Sequence, residues 1–473
     1  MSDLLRDFAI AVQRDPDTVA LIDGKGRAIT FNELETRRQS FASAWQRKGI
    51  GAGDRVLLAM SVDADLYAAL AALWTLGATA VLPEPALGLA GLRHAARVTR
   101  PRAFCSSGLF RLLRWALPEL WGLRHLRPNR QSARIPDMPL PSGTDIALIS
   151  FTSGTTGAPK AIPRSHDFLA AQHRAIAPLL DSSQPECDLV AFPVFVLINI
   201  ANGRTSVLPN WKMSRIDALQ PAQLRDWMTK NRVTRALVPP SLCELLVRAG
   251  RNATLHTVFT GGGPVFPELV DRISTKHPDL RLCCVYGSTE AEPIAHLETS
   301  DISPEDRSAM NAGQGLLVGH LVAGIDLRIQ NNEIQVAGAH VNSGYLDPTH
   351  DAENKVHEAK TIWHRTGDAG RLDTKGRLWL LGRMGTDVKI GGHMRYPFTV
   401  EVAARQWPGV RHCALIAIND AACLAIEGES TQFSLWQKHA AVFGIEHVMP
   451  IGTMPLDKRH RSKIDRTALR RLL

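Results

Sequence analysis

From about residue 145 onward the chain repeats one rhythm: a short apolar run, a turn or glycine loop, then a helical pattern. DIALISF, CDLVAFPVF, TRALVPP, LHTVFTGG and LRLCCVYG each read as a buried strand ending in a loop, and PAQLRDWMTKNR and PELVDRISTKH lie among them as helices. Continuous apolar runs of this length suit strands covered on both faces, the condition of a parallel sheet flanked by helices. Such sheets place ligand sites at the carboxyl ends of their strands. The first 140 residues alternate in a similar way, with ELETRRQSFASAWQRKG as a helix, DRVLLAM as a strand and DLYAALAALWTLG as a helix.

The pattern changes near residue 325. IDLRIQNNEIQVAGAHV reads as a hairpin around an Asn-Asn turn, and RLDTKGRLWLLGR as a second one. After Gly385 a compact α+β segment follows, with YPFTVEVAARQ and TQFSLWQKHAAVFG as helices and HCALIAI, ACLAIEG and EHVMPIG as strands. The expected fold is α/β. Residues 1–384 form a large N-terminal domain of parallel-rich sheets flanked by helices, with a small antiparallel subdomain. Residues 385–473 form a small, mobile α+β C-terminal domain. A chain of 473 residues, 45% hydrophobic and 21% charged, has the length for this many layers.

Composition excludes other classes. The net charge of +9 is spread along the chain, with denser stretches at Arg93–Arg134 and Lys458–Arg471, and no aromatic-plus-basic motif for nucleic acid accompanies them. The one long apolar run, DLYAALAALWTLGATAVL, opens on Asp65 and carries Gly77, so a core helix followed by a strand is expected rather than a transmembrane segment. Acidic residues interrupt the first 24 residues, which argues against a secretion signal and for a cytoplasmic location. Seven scattered cysteines read as buried reduced thiols in strands.

Chemistry concentrates in glycine- and hydroxyl-rich loops after strands. FTSGTTGAPKAI at 151–162 offers the hydroxyls of Thr152, Ser153, Thr155 and Thr156, the freedom of Gly154 and Gly157, and the charge of Lys160. That set can form an anion nest, though no Ser or Thr follows Lys160 as a P-loop NTPase requires. GGGP at 261–264 lets a planar group approach the backbone, and VYGSTEAE at 285–292 gathers an aromatic ring, hydroxyls and a carboxylate in one turn. TGD at 366–368 sets an acid after a glycine, suited to ribose hydroxyls. GRMGTDVKIGGHMRYPFTVE at 382–401 pairs Arg383 and Lys389 with glycines, and Lys463 sits in the basic stretch PLDKRHRSKIDR.

In this order the motifs resemble those of the adenylate-forming superfamily, which includes acyl-CoA synthetases, nonribosomal-peptide adenylation domains and luciferases. The resemblance covers essentially the whole chain. It implies that Ser153, Thr155, Thr156 and Lys160 hold the β- and γ-phosphates, with Thr152, Gly154 and Gly157 in the same ATP-binding loop. Gly261, Gly262 and Gly263 with Tyr286 would frame adenine, and Gly287 and Ser288 would belong to the ATP site. Thr289 would meet the α-phosphate and Glu290 the Mg²⁺. Asp368 and Arg383 would bind ribose, and Lys463 would reach the α-phosphate and the acid. Gly385 would be the hinge, where many relatives carry Asp or Lys, and Ser462 stands where relatives usually have Gly. An acid pocket would draw on Phe195, Val196, Asn199, Pro240 and Ala291, and its apolar character favours an acyl or aryl acid over an amino acid.

FPVFVLINIANGRTSVLPNW, VLPEPALGLAGLRHAARVTRPRAF and the PxDxRHxxKI form of the last motif resemble one branch, the β-lactone synthetases of olefin biosynthesis and their fatty-acid-ligase-like kin. That branch closes a β-hydroxy acid on its own hydroxyl. KIGGHMRYPFTVE keeps the thioester-forming pattern instead, in which Lys389, Gly391 and Gly392 let a pantetheine arm pass. The resemblance therefore implies ATP- and Mg²⁺-dependent activation of a small-molecule carboxylic acid. Transfer to CoA or to the phosphopantetheine of an acyl carrier protein is expected ahead of lactone formation, with a non-catalytic nucleotide-binding subunit as the third reading.

Overall fold

Two extended sheets organise the protein, a computed structural model that describes residues 3–84, 87–129, 141–152, 159–250, 252–419, 421–457 and 462–473. The larger sheet contains a run of six parallel strands, in spatial order Arg281–Ser288, Thr257–Gly261, Arg235–Val238, Cys187–Val190, Thr205–Val207 and Val19–Ile22. Beyond Arg281–Ser288 it turns antiparallel through Ala291–Glu298, Leu316–Leu321, Leu378–Arg383, Thr361–Leu372, Glu333–Gly338 and Ile325–Gln330. The second sheet has six strands, and Ile146–Phe151 pairs antiparallel with Ala161–Ser165 at its edge. The α/β architecture expected from the sequence is the one observed.

The helix Ala64–Thr75 is apolar on nearly every face because it lies between the two sheets. Trp74 Nε1 donates to the Ala147 carbonyl at 2.8 Å, so its one polar atom is satisfied inside the core. Helix Phe31–Arg47 starts at Thr30, whose side chain accepts from the Glu33 amide while Glu33 returns a bond to the Thr30 amide, a capping box written as T-x-x-E.

Three sequence expectations change. CDLVAFPVF is a strand only over Cys187–Val190, because Pro193, with no amide proton to give, opens the helix Pro193–Ala201. The antiparallel region begins at Ala291 rather than near 325. Cys243 lies on the helix Pro240–Ala249 and not in a strand. All seven cysteines are free thiols.

After residue 385 the chain forms a hairpin, Val388–Ile390 with His393–Arg395, and a three-stranded sheet, Val410–Ile418, Ala421–Gly428 and His447–Ile451. Helix Phe398–Ala404 connects this part to the larger body by using opposite faces. Val400 and Ala404 pack with Leu415, Leu424 and Trp436, whereas Phe398 and Val402 pack with Leu316 and Leu378. Phe398 also meets Phe266 edge to face, with ring centroids 5.8 Å apart. Arg405, just past the helix, donates from Nε to Glu268 Oε1 at 2.7 Å and from Nη1 to His412 Nδ1 at 2.7 Å.

An arginine cannot accept, so His412 Nδ1 must be unprotonated and its ring neutral. Burial, reinforced by Arg405 and Arg411, pushes its pKa down to about 3. An unfolded chain binds the proton near 6.5, so the stability this contact provides is complete above that value and is lost progressively as pH falls toward 3. His412→Gln should flatten the fall in melting temperature between pH 6.5 and 4 relative to wild type, measured by thermal unfolding across that range. Equal slopes would contradict a neutral, half-buried His412.

Candidate active site

The candidate residues gather where the central strands of the large sheet end. Thr257–Gly261 and Arg281–Ser288 run side by side in parallel, so the glycine turn 261–264 and the turn at Thr289-Glu290 emerge next to each other. The three glycines serve three purposes. At Gly261 a Cβ would collide with the Val285 carbonyl, and Gly262 has φ +76°. At Gly263 a Cβ would stand 2.5 Å from the Ser462 Cβ. Ser462 thus lies directly on the glycine turn, and the loop that carries Lys463 is seated over it.

That loop is tied at its neck. Asp457 Oδ1 accepts from the amides of Ser462 (2.9 Å) and Lys463 (2.8 Å), and the Asp457 amide donates to the Lys463 carbonyl at 2.8 Å. The Lys463 residue itself is exposed.

Asp368 and Arg383 face each other across two antiparallel strands, and Arg383 Nη1 donates to Asp368 Oδ1 at 3.0 Å and to the Thr366 carbonyl at 3.1 Å. The Tyr286 hydroxyl donates to Asp368 Oδ2 at 2.8 Å. Burial together with the Asp368 charge pushes that phenol well above its ordinary range, so it stays a donor. The structure therefore brings Tyr286, Asp368 and Arg383 into one cluster.

Glu290 belongs to a second cluster. The Tyr345 hydroxyl donates to its Oε1 at 3.0 Å, and the Asn342 amide donates to its backbone carbonyl at 2.7 Å. The Lys160 and Lys355 ammonium groups lie 5.4 and 5.5 Å from the centroid of the Tyr345 ring. Lys355 is 6% exposed and donates to the Asn342 carbonyl. Burial pushes it down to about 8 even though Glu290 and Asp351 favour its charged form. Arg164, equally buried, donates from Nη2 to the Thr289 carbonyl at 2.6 Å and fixes the turn from below.

The anion loop is anchored where it leaves the sheet. The Thr152 amide donates to the Lys160 carbonyl at 3.1 Å, and the Lys160 amide donates to Thr152 Oγ1 at 3.3 Å. Ser153, Gly154, Thr155, Thr156 and Gly157 lie outside the described residues. Gly287 has the Ala291 carbonyl 2.9 Å from the position of a Cβ, and Ser288 sits beside it at the strand end. Gly385 adopts φ +72° with open space around it. Lys389 is exposed, and Gly391 and Gly392 have φ of +57° and +86° at the tip of the hairpin Val388–Ile390/His393–Arg395. The turn alone requires glycine-like backbone at both positions.

A narrow apolar cavity of about 30 Å³ opens beneath the glycine turn, lined by Ile176, Leu179, Leu180, Phe192, Phe195, Leu237, Phe259 and Val285, with Gly261, Gly262 and Glu292 also on its wall. Of the five residues expected to form an acid pocket, Phe195 lines this one. Val196 is fully buried among the side chains of the neighbouring core, since successive residues of a helix point about 100° apart. Asn199 donates to Asp188 (3.0 Å) and Ser206 (3.1 Å) inside the sheet–helix layer. Pro240 opens a buried helix, and Ala291 is packed in the antiparallel core. Sequence reasoning missed Arg164 and Lys355 altogether. Neither stands in a glycine loop, and only the burial of a long cation marks them.

No helix among the described residues is long and apolar enough to cross a membrane. The sequence profile described as "AMP-binding enzyme" matches residues 8–346. An olefin beta-lactone synthetase of Stenotrophomonas maltophilia is 29% identical, with 93% of this chain aligned to 90% of that protein. The olefin beta-lactone synthetase of Xanthomonas campestris is 28% identical, over 96% and 94% of the two chains. Among solved structures, the o-succinylbenzoate coenzyme A synthetase of Bacillus subtilis in complex with ATP and magnesium ion superposes with a TM-score of 0.78 at 19% identity, over 98% of each chain.

The contact between Gly263 and Ser462 yields a reciprocal test. Gly263→Ala keeps an ordinary backbone conformation but displaces Ser462, an overpacking cost of about 1–3 kcal/mol. Acid-dependent pyrophosphate release should fall roughly tenfold to a hundredfold. Adding Ser462→Gly removes the opposing Cβ and should restore most of the rate. A double variant no faster than Gly263→Ala would show that the two residues do not meet during turnover.

Proposed function

The chain belongs to the AMP-binding enzyme family, and from that premise we propose that it activates an apolar β-hydroxy acid as its acyl-adenylate and then closes the acyl group on the acid's own hydroxyl. The observation that carries the adenylation step is the convergence of three groups where the central strands of the large sheet end. They are the Tyr286–Asp368–Arg383 cluster, the Glu290–Tyr345–Lys355 cluster, and the Lys463 loop seated on Gly263.

A carboxylate is a poor acylating agent because its leaving group would be oxide. In the proposed reaction its oxygen attacks the α-phosphorus of ATP, the bond to the bridging oxygen breaks, and pyrophosphate leaves. No base is needed, since the acid is already ionised. The chain must hold two anions together and meet the charge that grows on the α-phosphate oxygens with donors fixed beforehand. Asp368 accepts from the ribose hydroxyls, and Arg383 and Tyr286 orient that carboxylate. Thr289 stands at the α-phosphate and Lys160 at the departing phosphates. Lys463 approaches from the loop over Gly263 and spans the α-phosphate and the acid.

Glu290 is the carboxylate that would hold Mg²⁺. No group of three or more His, Cys, Asp or Glu side chains gathers among the described residues. That sparse donor set fits an ion held by one or two carboxylates and substrate phosphates, as Mg²⁺ commonly is. When bound, Mg²⁺ supplies positive charge to the phosphate oxygens.

The apolar side chains lining the narrow cavity that ends at Gly261 and Gly262 are the surface against which the hydrocarbon part of the acid would pack. For the second step, the β-hydroxyl oxygen attacks the acyl carbon, AMP leaves with the bonding pair, and the hydroxyl proton passes to phosphate or solvent. The relatives that match nearly the whole chain support this acceptor. Gly391 and Gly392 lend little weight to a pantetheine channel, since their hairpin turn accounts for them. The second reading, transfer to CoA or a carrier thiol, rests on the o-succinylbenzoate coenzyme A synthetase likeness in fold. Residues 1–384 and 385–473 would act as two domains hinged at Gly385, the smaller one mobile.

Lys463→Ala should lower acid-dependent pyrophosphate release by about 10²–10³ while AMP still raises the melting temperature, as loss of one such donor commonly does. Incubation of the wild type with a panel of β-hydroxy acids and ATP, with and without CoA or a phosphopantetheinylated carrier, decides the acceptor by mass spectrometry. A product lighter than the acid by one water supports the lactone. A thioester as the sole product refutes it, and no acid-dependent pyrophosphate release with any acid refutes both.

A further inference from the structure

One stretch of surface lies outside everything assigned so far. Residues 108–121 form three successive short helical turns, Gly108–Leu112, Leu113–Ala116 and Pro118–Leu120. Their inner side chains are ordinary core. Leu117 and Leu120 pack with Leu92, Ala95 and Ala96 of the helix Gly88–Thr99. The outer side chains are large and apolar, and they stand in solvent: Leu109 is 84% exposed, Trp115 72%, Leu112 63% and Trp121 63%. Leu89, on the helix beneath, adds another at 55%. Apolar groups of this size are rarely left together in water without a partner.

The charge around them has one sign. Between Leu87 and Arg127 the chain carries eight arginines and a single acid, Glu119. That acid is consumed by Arg93 (3.0 Å) and Arg97 (2.6 Å), a link that also holds the turns onto the helix. Arg111 and Arg114 alternate with the exposed leucines and Trp115, and the Arg114 guanidinium lies 5.1 Å from the Trp115 ring centroid.

We propose that this face docks the protein onto an anionic lipid bilayer, with Leu109, Leu112, Trp115 and Trp121 entering the interface and Arg111 and Arg114 meeting the lipid phosphates. Apolar side chains interleaved with arginine, and tryptophan at the boundary, match the two forces that hold an interfacial segment. A second copy of the chain is a poor occupant, because pairing this face with itself would set arginines against arginines. A protein partner is the alternative that the experiment separates from lipid.

The test is co-sedimentation of the full chain with vesicles of phosphatidylcholine alone or with about 30% phosphatidylglycerol. Binding is expected to the anionic vesicles, weakly if at all to the neutral ones, and to fall as salt rises from 50 to 500 mM. Arg111→Gln with Arg114→Gln should weaken partitioning about tenfold or more. Leu109→Ser with Trp115→Ser should do the same with every arginine kept. Leu109, Arg111 and Trp115 are exposed and Arg114 is half-buried, and none lies near the candidate active site, so melting temperature and pyrophosphate release in vesicle-free buffer should match wild type. Failure of the wild type to sediment with anionic vesicles overturns the proposal, as does unchanged binding by the Leu109/Trp115 variant. If vesicle binding is unchanged but acyl transfer to a carrier protein is lost, the face is a protein dock and the lipid assignment is wrong.

Discussion

The placement of Lys463 depends on one short helix, Phe398–Ala404, being bound on both sides at once. A helix of two turns has little stability of its own. Here Phe398 and Val402 are committed to the large body, and Val400 and Ala404 to the smaller core. Between them Glu401, 1% exposed, accepts from the Leu415 amide at 2.7 Å and from Arg466 Nη2 at 2.6 Å. Arg466 follows the Lys463 loop by only a few residues and begins the last helix, Arg466–Leu472. A continuous path of packed and hydrogen-bonded groups therefore runs from the large sheet through Glu401 to the loop that lies on Gly263. Arg405 and Glu268 reinforce it from outside, and breaking one partner of so buried a pair commonly costs about 3–5 kcal/mol.

Most of this architecture was legible because hydrophobic period is a strong signal. The helices Phe31–Arg47, Ala64–Thr75 and Pro267–Lys276 and the hairpins Ile325–Gln330/Glu333–Gly338 and Thr361–Leu372/Leu378–Arg383 lie where the pattern put them. The stretch CDLVAFPVFVLINIA was harder. An uninterrupted apolar run fits a buried strand and a buried helix equally, and Pro193 was the only divider. The separation of Val196 and Asn199 from the cavity that Phe195 lines follows from that ambiguity. Once 193–201 is a helix, Phe195 and Val196 cannot face the same cavity.

Glycine loops were legible as locations and illegible as reasons. Gly261, Gly262 and Gly263 are adjacent in sequence. One is forced by a neighbouring strand, one by a positive φ, and one by a serine 199 positions further along the chain. Gly391 and Gly392 look like the same kind of opening but are explained by a two-residue turn. What a missing Cβ makes room for is a tertiary fact, and spacing alone does not carry it.

The buried cations were invisible for the opposite reason. Lys355 and Arg164 sit in unremarkable polar sequence, yet each is nearly excluded from water and each donates to a backbone carbonyl beside Glu290. Burying an ammonium is costly in isolation, which is why Lys355 falls to about 8 despite Glu290 and Asp351 nearby. In the proposed reaction that cost has a use. A site that must receive a polyanion and then release pyrophosphate benefits from positive charge that is already desolvated and fixed in direction, because no reorganisation remains when charge develops on phosphorus. Arg164 and Lys355 hold the backbone around Glu290 and keep the field positive from the protein side. In the same proposal a further cation, Lys463, is brought in on a loop tied by Asp457. The division between fixed and delivered charge follows from the topology: the first pair rises from the large body, and Lys463 arrives on the segment docked through Phe398–Ala404.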